Sequence, residues 1–144
     1  LVMSTRSNQS AYLRTQVTYL AKSMADRMRA NPQGVWDGKY DGSYPTTTTK
    51  DCSTTGCTAD QLAQHDQGAW SSQLKTFLPM PSATIKCDAG SAGYTPNATQ
   101  ISMAPPYGGN CHMTIKWIEQ GAGDKDDQKA QEIKPQAFDW DFQP

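Results

Sequence analysis

Leu13-Arg14-Thr15-Gln16-Val17-Thr18-Tyr19-Leu20-Ala21-Lys22-Ser23-Met24-Ala25-Asp26-Arg27-Met28-Arg29-Ala30-Asn31-Pro32 is the stretch from which the rest of the fold is read. Leu13, Val17, Leu20, Met24 and Met28 recur at steps of four, three, four and four, which places them on one stripe of an amphipathic α-helix. No Gly or Pro interrupts residues 2–30, so the helix extends upstream of that stripe. Arg6, Arg14, Lys22, Arg27 and Arg29 fall largely off it, and the basic last turn suits the helix dipole. Asn31-Pro32 stops the helix, because a residue before proline avoids the helical region. At 1.5 Å per residue the helix is roughly 40 Å long, well above the globular mean. It reads as a packing spine whose buried face is Leu13, Val17, Leu20, Met24 and Met28.

Downstream of the spine, residues 32–57 are rich in Gly, Pro, Tyr and Thr, with four threonines in a row at Thr46–Thr49, and read as a loop with a short extended piece. Thr58 and Gln61 form a capping-box signature for a second helix. That helix runs to about Leu78, with Leu62, Ala69, Trp70, Leu74, Phe77 and Leu78 on its buried side, and Pro79-Met80-Pro81 ends it. Gly68 in its middle is unfavourable for a helix. Three strands follow. Thr84–Cys87 is short; Cys111, Met113, Ile115 and Trp117 alternate with His112, Thr114 and Lys116; Phe138, Trp140 and Phe142 alternate with Asp139 and Asp141. Residues 88–110 and 120–131 read as loops. The order predicts an α+β fold, with the long helix laid on an antiparallel sheet and a shorter helix in the connecting segment. Residues 1–144 are taken as one domain: spine helix 1–31, loop plus helix 32–81, sheet with long loops 82–144.

Composition narrows the function. A formal net charge of −1 excludes a global field for nucleic acid or anionic lipid. Only 36% of residues are hydrophobic, which implies a modest core carrying long polar loops. Cys52, Cys57, Cys87 and Cys111 are an even set in a small polar chain and point to two disulfides and an oxidising compartment. Sequence alone allows three pairings. Cys52–Cys57 and Cys87–Cys111 are favoured, since the first pair brackets a short turn and the second sits on two strands; on the chain-entropy model they stabilise by about 2 and about 3.5 kcal/mol. A zinc site built from these thiols with His65 or His112 has the wrong spacing, and a redox Cys-x-x-Cys is absent.

The run Asn8-Gln9-Ser10-Ala11-Tyr12-Leu13-Arg14-Thr15-Gln16, continuing through Leu20-Ala21 to Met24-Ala25-Asp26-Arg27-Met28-Arg29-Ala30-Asn31-Pro32, resembles the segment that closes the long N-terminal helix of PilV-type minor pilins. Ala59-Asp60-Gln61-Leu62-Ala63-Gln64 with Trp70, the strand ending at Trp117, and Phe142-Gln143-Pro144 resemble the same family more loosely. The resemblance implies a pilin-like fold in a non-enzymatic subunit without cofactor. It implies a prepilin held in the inner membrane, facing the periplasm, by an apolar half-helix upstream of Leu1-Val2-Met3. It also implies assembly with other minor pilins, the major pilin and a tip-associated adhesin, so that the complex primes the type IV pilus, sits at its tip, and supports twitching motility and adhesion. A minor pseudopilin of type II secretion shares the helix-on-sheet plan, and a secreted lectin-like module is the alternative of another class.

Other residues invite sharper readings. Asp124, Asp126 and Asp127 form an acidic loop that lacks the full calcium-loop pattern, so it reads as solvated. His65 and His112 have no nucleophile motif beside them and read as exposed helix and strand positions; no catalytic residue is assigned. Trp117, Phe138, Trp140 and Phe142 could stack on a sugar, but their period of two fits core packing. The sequons at Asn8 and Asn97 are discounted.

Overall fold

The computed structural model describes residues 2–120 and 133–144. Helix α1 spans Val2–Arg29, α2 Pro32–Trp36, strand β1 Gly42–Tyr44, α3 Ala59–Phe77, β2 Ser82–Asp88, α4 Ala98–Ser102, β3 Asn110–Gln120 and β4 Ile133–Phe142, with a 3-10 turn at Ala89–Ala92. The strands form one antiparallel sheet in the order β1-β2-β3-β4. An α+β architecture results, with α1 laid on one face of the sheet against β3 and α3 packed on α1.

Leu13, Val17, Leu20, Met24 and Met28 are all buried, and Ala21 and Ala25 join them where α1 runs close to its neighbours. Each large apolar side chain removed from water contributes roughly 1.5–3 kcal/mol. Before Leu13, Thr5, Asn8, Gln9, Ala11 and Tyr12 are exposed; Ser10 is half-buried and donates from Oγ to Glu119 Oε1 at 2.9 Å. Trp70 of α3 is fully buried against α1, and its indole N–H donates to Leu20 O at 2.8 Å.

Several elements differ from expectation. Residues 32–57 are not all loop, because Asn31 does more than end α1: it caps α2, accepting from Gly34 N–H at 3.4 Å, with Pro32 in the first turn where its missing N–H costs nothing. A Cβ on Gly34 would lie 2.6 Å from Asn31 Nδ2, so the cap requires that glycine. Gly42–Tyr44 adds a fourth strand, whose Tyr44 is buried. The capping box at Thr58 and Gln61 is formed, and Leu78 caps the far end of α3. Its buried face is Ala63, Asp66, Trp70, Ser71 and Leu74, whereas Leu62 and Ala69 are half-buried and Phe77 is exposed. Residues 88–110 contain the 3-10 turn and α4, the latter capped by Asn97. The acidic run Asp124, Asp126 and Asp127 lies outside the described residues.

The register sorts the sheet into two faces. Ala83, Ile85, Cys111, Met113, Ile115, Trp117 and Phe142 are buried toward the helices, and Phe138 and Trp140 are half-buried on the same side. Ser82, Thr84, Lys86, His112, Lys116, Asp139 and Asp141 face solvent. Trp140 stacks on Phe142 with centroids 4.6 Å apart.

Candidate functional site

Three arrangements stand out: the joint between α1 and α3, the strapped threonine loop, and a charged cluster on the outer sheet face.

At the joint, Asp66 is buried on α3 and would be costly there unpaired. It accepts from Arg27 Nη1 of α1 at 3.0 Å and from Tyr40 Oη at 2.5 Å. Asn31 Nδ2 donates to Tyr40 Oη at 3.1 Å and to Ala59 O at 2.8 Å. Burial, then the Asp66 carboxylate, push the Tyr40 phenol above its ordinary range, so it stays protonated as a donor. Tyr44 is pushed up to about 12, mainly by burial, and donates to Tyr40 O at 2.6 Å. Arg27, expected off the buried stripe, thus reaches inward and ties the spine to α3.

The threonine loop lies along α3. A Cβ on Gly68 would sit 2.5 Å from Thr48 O, so the loop backbone occupies the place of a side chain there. Thr46 N–H donates to Ser71 Oγ at 2.8 Å, and half-buried His65 holds Lys50 O at 2.7 Å through Nδ1. His65 is therefore a strap rather than an exposed helix residue. The sulfurs of Cys52 and Cys57 close the loop at 2.08 Å, and those of Cys87 and Cys111 join β2 to β3 at 2.07 Å.

On the outer face, His112 sits opposite Asp141 and beside Asp139. Its Nδ1 is 2.6 Å from Asp141 Oδ1 and its Nε2 is 3.2 Å from Asp139 Oδ1. The Asp141 hydrogen bond leads, with Asp139 adding to it, in raising the His112 pKa; a hydrogen bond from Thr114 leads in lowering that of Asp139, with His112 adding to it. Thr114 Oγ1 lies 3.2 Å from His112 Nε2 but donates to Asp139 Oδ1 at 2.6 Å. Both ring nitrogens face carboxylates, so the protonated ring donates to both and carries no lone pair to activate the hydroxyl. The cluster is an ionic clamp between β3 and β4. Among the described residues, no group of three or more His, Cys, Asp or Glu side chains could hold a metal ion, and no helix is long and apolar enough to cross a membrane.

Residues 2–68 match the family model described as Type IV pilin Tt1218, a stretch that runs from α1 into α3 and covers a little under half the chain. Neither a curated protein nor a solved structure matches the chain. The match supports a relation to type IV pilins. With the long N-terminal helix, the four-stranded antiparallel sheet and the short helices, the fold is α+β and pilin-like.

Proposed function

We propose that this chain is a minor pilin of PilV type, a non-enzymatic subunit that helps prime type IV pilus assembly within a minor-pilin complex at the tip. The observation that carries this reading is the family match over α1, α2, β1 and the first half of α3, the part of the chain in which the spine is locked to the head. The surface of α1 fits the role. Tyr12 and Tyr19 are 56% and 57% exposed and stand seven residues apart, hence on one helix face, away from the buried stripe. A helix with a core-facing stripe and a second aromatic face is suited to pack against both its own head and neighbouring helices.

On this reading the partners are other minor pilins, the major pilin and a tip-associated adhesin. An N-terminal extension of α1 anchors the subunit in the inner membrane before assembly, and the two disulfides belong to a head that matures in the periplasm. Deleting the gene should reduce surface pili and twitching. Wild-type protein should restore both, and a folded Tyr12→Asp/Tyr19→Asp variant should not. Normal piliation and twitching in the deletion strain would overturn the proposal. Lost protein secretion with pili intact would instead assign the chain to type II secretion as a minor pseudopilin.

A further inference from the structure

Among the described residues, β4 hydrogen-bonds to β3 and to no other strand. The register tells which of its backbone groups point away from β3. Cys87 N–H donates to Asp41 Oδ1 at 3.0 Å, on the β1 side, so Cys87 and Cys111 exchange no backbone bonds. Ile118 N–H points toward the β2 side, to Pro79 O at 3.1 Å. Even-numbered residues of β3 therefore bond toward β2 and odd-numbered ones toward β4. Met113 and Ile115 pair with Trp140 and Phe138, which engages the backbone of those aromatics and turns the N–H and C=O groups of Ala137, Asp139 and Asp141 outward. Pro135 shares that outward parity, where a strand tolerates a missing N–H.

The side chains along this edge differ by face. On the helix side, Phe138 and Trp140 form an open apolar groove with Thr18, Ala21 and Lys22 of α1. On the outer side, Asp139 and Asp141 are 63% and 84% exposed, and two carboxylates beside a single imidazole leave that end of the strand negative whether or not the ring is protonated. Lys116 lies opposite Ala137, one row further along.

We propose that β4 is a docking edge for an extended segment of a partner protein in which apolar residues alternate with basic ones. Such a segment adds a fifth strand through the outward-facing backbone groups of Ala137, Asp139 and Asp141. Its apolar side chains enter the groove against Phe138 and Trp140, and its basic side chains stand beside Asp139 and Asp141, clear of Lys116. The proposal rests on the sheet alone and does not require the pilus reading.

The test uses the soluble chain and three synthetic peptides of about eight residues: alternating Val and Lys, the same with Glu for Lys, and the Val/Lys peptide with alternate backbone nitrogens methylated. The Val/Lys peptide should shift the amide resonances of Ala137, Asp139 and Asp141 and slow their hydrogen exchange. The methylated peptide should bind at least about tenfold more weakly, having lost strand donors but no charge, and the Glu peptide should not compete. Ala137→Pro, which removes an outward N–H, should weaken the Val/Lys peptide without altering the spectrum elsewhere; if that variant misfolds, the methylated peptide and the exchange rates still decide. Equal binding by methylated and unmethylated peptides, or shifts confined to other strands, would overturn the proposal.

Discussion

Gly68 shows how a single residue reports on structure far from it. Inside a helix it is unfavourable by about 1 kcal/mol relative to Ala, yet a methyl group there would drive into Thr48 O at 2.5 Å. Gly68→Ala should therefore destabilise, by about 1–3 kcal/mol, since overpacking against backbone outweighs the propensity gain. A denaturant titration reads the sign directly, and a more stable variant would mean the threonine loop does not lie on α3. From sequence the glycine was legible only as an anomaly, because its reason is a loop about twenty residues earlier. The capping box at Thr58 and Gln61 was fully legible, because both partners lie within one helical turn. Asp66 was not. A buried carboxylate is invisible until Arg27 and Tyr40 are brought to it by the packing of two helices.

Among the elements, α1 offers the cleanest contrast. Leu20 is fully buried and Lys22, two residues on, is exposed. Leu20→Asp should cost about 3–5 kcal/mol by burying an unpaired charge, whereas Lys22→Asp should stay within roughly 0.5 kcal/mol. Similar melting temperatures for the two variants would show that the packing face is misassigned. The hairpin of β3 and β4 gives a pH prediction. His112 gains carboxylate partners on folding and its pKa is raised, so the stability it contributes is full below its unfolded pKa of about 6.5 and is lost as pH rises through the folded value. Lys86, its cross-strand neighbour on β2, opposes that charge, while Asp139 and Asp141 favour it. Titration by NMR should place the His112 midpoint above the free-histidine value, and Asp141→Asn should bring it back down. A wild-type midpoint at or below the free value would contradict the clamp. Alternation predicted these strands, since period two is a local signal, but not the clamp, which depends on cross-strand register. The short α2 escaped because it is not long enough to show a period, and β1 was legible only as a short extended piece whose place in the sheet a three-residue strand cannot announce.

For the whole molecule, the helix-on-sheet plan followed from one periodic stretch and two alternating ones, while the connections hid most of what was missed. Long polar segments look alike in sequence whether they are free or strapped; here Gly68, Ser71 and His65 bind one such segment to α3, and Trp36 holds another by donating to Pro105 O at 3.0 Å. The result is a head in which these two segments are tied down and a spine whose second face carries exposed Tyr12 and Tyr19, a form that suits a filament subunit. The central claim is that this form serves a pilus. Its most direct test is to tag the protein at its chromosomal locus, shear surface pili from the cells, and probe both the purified pili and the cell-free supernatant. Tag should appear in the sheared filaments, with immunogold label concentrated at one filament end. Well-piliated cells whose filaments carry no tag, with the protein recovered only as a free soluble species, would contradict it.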